Sequence, residues 1–200
     1  MTPSDEYRTV FAWVADDWSP DVAPRSLPAA RLWGDVVLEL VADAEGLSLD
    51  PPIAIRRTAV FAWPTPLPPA KAIGATVGRR VALTVRPAAC AAANIERVHE
   101  VVDPRSWRRL REWLIDRGHE KDFIDEDVAP LTDPTALMIV ERARASVEST
   151  SAELLAEIVA YFTPAARAYL ETWASFASDA EVSDSMEIVV PAEAIIRVDR

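Results

Sequence analysis

The residues best suited to hold a metal ion lie in the segment HEKDFIDED, residues 119–127. If this segment were helical, His119, Asp122 and Glu126 would lie along one face at positions i, i+3 and i+7. Two carboxylates and an imidazole form a ligand set that a divalent cation accepts, so the chain could be a metal-dependent hydrolase or a nuclease-like enzyme. We favour the alternative of an exposed acidic loop anchored by Phe123 and Ile124. A calcium-binding loop is not indicated, because no glycine marks its turn.

The other residue types used in catalysis are poorly placed. The two histidines, His99 and His119, flank a predicted helix about 20 Å long and should not share an ion. Cys90 stands among alanines with no neighbouring charge to lower its pKa, which favours a buried structural thiol. The five glycines form neither a phosphate-binding loop nor a Gly-x-Ser-x-Gly turn. We therefore expect no cofactor and favour a noncatalytic protein.

One basic cluster and one tryptophan are candidates for binding a partner. In the predicted helix DPRSWRRLREWLIDRG, the apolar side chains form one stripe, and Arg105, Arg108 and Arg109 lie on the opposite side. These arginines could dock phosphate or an acidic surface. A solvated face with i,i+4 pairs, such as Arg108 with Glu112, is the simpler interpretation. Trp18 lies outside any periodic segment, so it is the tryptophan that we expect to be most exposed and available to a partner.

The net charge of -11 is concentrated in the second half of the chain. Residues 1–94 hold ten acidic and nine basic side chains, residues 95–118 hold five and six, and residues 119–200 hold seventeen and six. Such an excess repels nucleic-acid phosphates, so we do not expect nucleic acid as a partner. A solvated acidic helix surface is the simplest interpretation of this half. A face that binds another protein with a basic surface is the sharper one.

Composition also bears on the membrane and on the compartment. The uncharged apolar runs are far shorter than the roughly 20 residues of a membrane-spanning helix, so we expect no membrane partner. The acidic N-terminal residues differ from a secretion signal, and a single cysteine cannot form an internal disulfide. These features predict a cytoplasmic protein. Arginine outnumbers lysine 19 to 2, which by association indicates a GC-rich bacterial genome.

The first half of the chain, residues 1–94, is rich in proline and carries strand-like segments. Eleven of the sixteen prolines lie before residue 88, and the run from Pro64 to Pro69 cannot continue a helix or a central strand. Between the first two strand-like segments, charges recur every four residues among apolar ones, which indicates one early helix ending near Gly46. β-Branched and aromatic residues predict strands at 7–14, 53–63 and 79–86.

The following part, residues 95–180, is predicted to be helical. Three pairs place a capping side chain before a proline at the first helical position: Asp103-Pro104, Asp133-Pro134 and Thr163-Pro164. Thr150 with Glu153 adds a capping-box pattern. The predicted helices lie near 104–117, 134–148, 151–162 and 164–178. The equal spacing of the three proline starts does not indicate a repeat, because the three units differ in sequence.

Strand-like sequence at 186–198 follows the helices, and we expect it to return to the N-terminal sheet. The prediction is one α+β domain, residues 1–200, with a mixed or antiparallel sheet, one early helix and a helical second half. The letters VFAW occur at 10–13 and again at 60–63. Read as strands, both copies are apolar on both faces, so we predict that they are two central strands of one sheet. The bulky side chains lie on one face, and the small ones lie on the other, toward a closely packed helix.

Three functional hypotheses follow from these patterns. We favour a noncatalytic protein-interaction module, an acidic subunit or neutralising partner in a larger protein assembly. The second hypothesis is the metal-dependent enzyme that uses residues 119–127. The third is a small-ligand binding module with an aromatic pocket, suggested by the seven tryptophans.

Overall fold

The computed structural model describes residues 7–14, 16, 18–20, 29–66, 78–119, 151–177 and 183–199. Within these ranges lie a seven-stranded antiparallel sheet and four α-helices. The early helix and the return of the terminal strand to the sheet confirm the predicted α+β class. The chain forms two compact units, one from residues 1–25, 48–96 and 172–200 (the sheet unit), the other from residues 26–47 and 97–171 (the helical unit). A single domain stays a prediction.

The strands are β1 (Arg8–Val14), β2 (Val60–Trp63), β3 (Arg79–Val85), β4 (Ala91–Asn94), β5 (Ala174–Ser175), β6 (Met186–Val190) and β7 (Ile195–Asp199). The α-helices are α1 (Ala29–Ala44), α2 (Ile95–Val102), α3 (Pro104–Asp116) and α4 (Ala152–Leu170). The order of the strands in the sheet is β5-β4-β6-β2-β1-β3-β7, and the paired strands are antiparallel.

The two VFAW copies are neighbours at the centre of this sheet. β1 pairs with β2 so that Phe11 lies opposite Trp63 and Ala12 opposite Ala62. Since side chains alternate along a strand, the bulky rings share one face and the small residues share the other. The small face belongs to the core of the sheet unit, where Val10 and Ala12 are fully buried. The described residues of this core come from strands and their connections, not from the packed helix that we expected.

Two short connections require the sheet to curl. β3 and β4 lie four positions apart in the sheet, as do β6 and β7, which would separate them by about 19 Å in a flat sheet. Each link is only a few residues long and contains a 3-10 turn, Pro87–Ala89 in the first and Ala192–Ala194 in the second. The two links meet where the backbone N–H of Arg86 donates to the carbonyl of Ala194 at 2.9 Å. The small face is therefore the concave interior of a rolled sheet.

Both outer strands of the sheet are poor templates for pairing with another chain. β5 has two residues, and β7 carries a register shift opposite Thr84 and Val85. The β7 backbone is further flanked by the exposed charges of Arg197 and Asp199. Short, bulged and charged edges are the features that prevent strand addition. An interaction surface is better sought on the helices.

The helical unit is organised around apolar stripes on three helices. Trp33, Val37, Leu38 and Val41 of α1 are fully buried, as are Trp107, Leu110 and Leu114 of α3 and Ala166 of α4. The end of α1 lies where the sequence predicts it. Gly46 has a φ of 64° and its N–H donates to the carbonyl of Asp43, while Leu47 donates to Ala42. This pair of bonds is the glycine-terminated helix end known as a Schellman motif.

Part of the predicted strand at 53–63 is wrong. Residues Ile53–Arg57 form a 3-10 helix, and only Val60–Trp63 is a strand. The reason is a three-residue period in burial, since Ile53 and Arg56 are both buried and side chains at i and i+3 align in a 3-10 helix. The Arg56 side chain is thus part of the core.

The predicted break at Thr163-Pro164 is also wrong. Helix α4 continues through Pro164, and the Thr163 hydroxyl donates back to the carbonyl of Val159 at 2.8 Å instead of capping a new helix. Pro164 is exposed, while Phe162 and Ala166 on either side of it are buried. Burial of this continuous stripe offsets the roughly 3 kcal/mol cost of an interior proline.

Other elements differ from the sequence prediction in smaller ways. The cap of α4 is the hydroxyl of Ser151, which accepts from the N–H of Leu154 at 3.2 Å, so the start lies one residue after the predicted Thr150. Strand β4 was not predicted, and α2 lies in the part predicted to be helical but was not among the four helices placed there. The helix predicted at 164–178 is wrong beyond Leu170, because Ala174–Ser175 pairs with β4 as strand β5. The helix predicted at 134–148 lies outside the described residues.

Candidate functional site

Helix α3 is held in a definite orientation at both ends. The Asp103 side chain accepts from the N–H of Arg105 at 2.7 Å, as its predicted capping role requires. On the buried side, the indole N–H of Trp107 donates to the carbonyl of Val101 at 2.9 Å. At the far end Gly118 has a φ of 99° and donates to Ile115. Because both ends and the apolar stripe are fixed, the side of α3 that faces solvent is fixed as well.

That exposed side carries the three arginines proposed from the sequence. The Arg105 side chain is 78% exposed, and Arg108 and Arg109 are exposed too. Arg105 forms a salt bridge with Asp103, in which Nε donates to Oδ1 at 3.2 Å and Nη2 donates to Oδ2 at 2.9 Å. This hydrogen bond from Arg105 is the main reason that the pKa of Asp103 is lowered below its ordinary value. Arg105 therefore has one anionic neighbour already and still faces solvent.

Arg108 and Arg109 differ from Arg105, which is paired with Asp103. Within the described part of the chain, neither guanidinium forms an ion pair, and the i,i+4 pair of Arg108 with Glu112 suggested by the sequence is not formed. Two adjacent cations thus lie on a helix surface without an ion-pair partner among the described residues. We define the α3 surface as the exposed side chains of Arg105, Arg108, Arg109, Glu112 and Asp116.

The histidine of the proposed metal site has a different partner from those predicted. His119 Nε2 lies 3.1 Å from Glu157 Oε1, and Arg117 Nε donates to Glu157 Oε2 at 3.2 Å. Glu157 belongs to α4, and no local pattern linked it to a histidine 38 positions away. Asp122 and Glu126 lie outside the described residues. Among the residues that the structure describes, no group of three His, Cys, Asp or Glu side chains could hold a metal ion. The metal site stays a prediction.

Trp18, the other partner-binding candidate, belongs to the sheet unit. It is partly exposed and packs against the core cluster on the concave face of the sheet. Its carbonyl accepts from Arg79 Nη2 at 3.3 Å. Trp13 and Trp113 are also partly exposed, so Trp18 is not distinguished from them by exposure class. Its role in binding a partner stays a prediction.

A buried ion pair in the sheet unit could not be found from sequence. Arg56 Nη1 donates to Glu187 Oε2 at 2.6 Å, and the two side chains are 0% and 1% exposed. The Arg56 guanidinium also lies over the ring of Phe61, at 4.8 Å from its centroid. The pair joins the 3-10 helix to β6 across 131 residues of sequence. Its complete burial gives it a role in the core rather than in contact with a ligand.

The single cysteine is in the environment that the sequence predicts for a structural thiol. Cys90 is fully buried, and burial raises its pKa to about 12. The thiol donates to the carbonyl of Arg86 at 3.4 Å. At neutral pH the thiol is therefore protonated, which disfavours it as a nucleophile.

The aromatic rings of the helical unit are in contact with one another. Trp107 lies 5.8 Å from Trp33 and 4.9 Å from Phe162, measured between ring centroids. Tyr161 in turn lies 4.9 Å from Phe162 and 5.2 Å from Trp113. These rings pack against one another, and an aromatic pocket for a small ligand stays a prediction.

The acidic excess of the second half is only partly visible. Of the acids in α4 and β6, Glu157 is paired with His119 and Arg117, and Glu187 is buried against Arg56. Most of the other acids of this half fall at 120–150 and 178–182, outside the described residues. A partner with a basic surface therefore stays a prediction.

Comparison with known proteins leaves the site to be interpreted from its own chemistry. No helix among the described residues is long and apolar enough to cross a membrane. Neither the protein-family models, the curated proteins nor the solved structures contain a match to this chain.

Proposed function

We propose that this chain is a noncatalytic protein-interaction module, and that the α3 surface binds a carboxylate-bearing surface of another protein chain. The observation that carries the proposal is the pair Arg108 and Arg109, which are exposed and form no ion pair within the described residues. A guanidinium has five N–H donors in a planar fork that matches a carboxylate. Arginine is also enriched at the centre of protein interfaces.

The environments of the other reactive groups support a noncatalytic role. His119 and Arg117 converge on one carboxylate, Glu157, which neutralises charge inside the helical unit. The Cys90 thiol is buried with a raised pKa. The pair Arg56 and Glu187 lies in the core of the sheet unit. Each of these groups is thus engaged in holding the fold, whereas Arg105, Arg108 and Arg109 face solvent.

The compartment and source are part of the same proposal. A buried, unpaired cysteine suits the reducing cytoplasm. The ratio of 19 arginines to 2 lysines favours a bacterium with a GC-rich genome. We therefore place the interaction in the bacterial cytoplasm, as one subunit of a larger protein assembly.

The test compares three tagged baits in a native lysate by quantitative mass spectrometry. The first is the wild-type chain and the second carries Arg105→Glu, Arg108→Glu and Arg109→Glu. The third is a matched control that reverses three exposed arginines elsewhere, namely Arg80, Arg97 and Arg197. Both variants change the net charge equally, so a difference between them reports position and not total charge.

We expect the α3 variant to lose a specific partner that the wild type and the control variant both retain. Electrostatic steering also predicts that the partner is released as salt rises. If the α3 variant captures the same proteins as the wild type, the α3 surface is not the interaction surface. Far-UV circular dichroism of all three baits guards against loss of folding.

A further inference from the structure

The α3 surface has an ordered distribution of charge along the helix. Its first half carries the arginines 105, 108 and 109, and its second half carries the carboxylates of Glu112 and Asp116. At about 100° per residue, Arg105, Arg109, Glu112 and Asp116 fall within an arc of roughly 60°. One narrow stripe of the exposed side is thus positive at its beginning and negative at its end.

The charges on one α3 helix complement those on a second α3 helix that runs in the opposite direction. If a second α3 lies antiparallel across the stripe, with a two-fold axis between Leu110 and Arg111, Arg105 comes opposite Asp116 and Arg109 comes opposite Glu112. Two-fold symmetry repeats each contact, so both ends of the stripe are matched. A parallel arrangement would place arginine against arginine and carboxylate against carboxylate, which is repulsive.

We infer that the partner of the α3 surface is a second copy of this chain, bound with the two α3 helices antiparallel. The inference rests on the proposed function, because it takes the α3 surface as the interaction surface and identifies the carboxylates that it meets. Those carboxylates are Glu112 and Asp116 of the other copy.

The charged groups needed for this contact are available. Within the described part of the chain, Glu112 and Asp116 form no ion pair, and both are exposed. Arg105 uses Nε and Nη2 for Asp103, which leaves the Nη1 edge of its fork for a second carboxylate. Ile115, 38% exposed, lies at the margin of the stripe and adds apolar area to the contact.

The size of the contact sets the strength of the dimer. A helix of 13 residues is about 20 Å long and covers less than the roughly 800 Å² per partner of a stable interface. The dimer is therefore weak and depends on charge. The net charge of -11 on each copy opposes association over long range, but a Debye length of about 8 Å at 0.15 M salt screens distant charges more than pairs in contact.

Sedimentation velocity of the full chain at 0.15 M salt tests the inference through complementary charge changes. The acidic variant carries Arg105→Glu and Arg109→Glu, and the basic variant carries Glu112→Arg and Asp116→Arg. Each variant alone places like charges at every contact. When the two are mixed in equal amounts, every contact again joins opposite charges. The matched control is Arg80→Glu with Arg97→Glu, which reverses two exposed arginines of other elements.

We expect the wild type to dimerise reversibly, and each α3 variant alone to have a dissociation constant at least about tenfold weaker. The equimolar mixture should recover the dimer, and the control should behave as the wild type. The inference is overturned if the wild type is monomeric up to about 1 mM, a concentration at which even weak complexes form. It is also overturned if the mixture stays monomeric while both variants show the wild-type circular dichroism spectrum.

The outcomes separate this inference from the proposed function. If the wild type is monomeric but the α3 variant loses a partner that the wild type captures from the lysate, the proposed function stands. The inference that this partner is a second copy of the chain is then wrong. If the chain dimerises and the mixture recovers the dimer, the bait captures its own untagged copy and both proposals stand.

Discussion

A methyl group added at Gly34 is predicted to destabilise the protein, although the same change stabilises most helices. Gly34 lies in α1, where a Cβ atom would be 2.8 Å from Val102 Cγ1 and 3.0 Å from the carbonyl oxygen of Val101. It would also be 3.2 Å from the Cα of Val102. Two of these three atoms are backbone, so a rotation of one side chain cannot relieve the contact.

The size of the effect follows from three contributions. Replacing glycine by alanine inside a helix favours folding by about 1 kcal/mol. Overpacking against backbone costs about 1–3 kcal/mol. The carbonyl of Val101 also accepts the indole N–H of Trp107 at 2.9 Å, and weakening that bond costs up to about 1 kcal/mol. We therefore expect Gly34→Ala to lower the free energy of unfolding by up to about 3 kcal/mol, instead of raising it by about 1 kcal/mol.

Urea denaturation followed by far-UV circular dichroism measures this change. A second variant, Val102→Ala, removes the closest methyl group and provides a double-mutant cycle. Gly34→Ala should cost less in the Val102→Ala background than in the wild type. An increase in stability of about 1 kcal/mol on Gly34→Ala, as in an unhindered helix, would refute the close approach of α1 and α2.

Two further predictions concern the ion pairs. Glu187→Gln removes the carboxylate charge that faces the buried Arg56 guanidinium and should lower the free energy of unfolding, measured in urea, by about 3–5 kcal/mol. Arg56→Met with Glu187→Leu should restore most of that loss, and equal losses in both variants would contradict this account. Asp103→Ala removes the α3 cap at a cost of about 1 kcal/mol at pH 7. The pKa of Asp103 is lower in the folded protein than in the unfolded chain. The ionised Asp103 side chain therefore stabilises the fold fully above its unfolded pKa of about 4, and this stabilisation is lost as the pH falls through the lowered pKa. Urea denaturation should show a smaller difference in the free energy of unfolding between the wild type and Asp103→Ala at pH 3 than at pH 7. An equal difference at the two pH values would count against a charged cap.

The elements that were predicted well are those with a local cause. The β-branched and aromatic segments of β1 and β3, the Asp103-Pro104 start of α3 and the glycine end of α1 depend on residues within a few positions of one another. The arginines of α3 belong to this class, since their exposure follows from helical spacing against the stripe containing Trp107. Local chemistry was sufficient for these elements because each bond that defines them lies within one element.

The elements that were missed depend on residues far apart in the chain. Arginine side chains are mostly exposed, and the burial of Arg56 depends on its pairing with Glu187, 131 positions later. Pro164 reads as a helix start until the burial of Phe162 and Ala166 carries α4 through it. The alanine run of β4 has no strand signal of its own and forms a strand because it pairs with β6 and β5.

By itself, the sequence determined the α+β class, the place of the two VFAW strands in the centre of one sheet and the side of α3 that carries the arginines, because hydrophobic period and capping residues act over single elements. Only the tertiary structure decided the curl of the sheet, the partner of His119 and the absence of a neutralising contact at Arg108 within the described residues. These depend on which elements meet in space. A local pattern specifies an element and its faces, and the packing of distant elements specifies what each face meets.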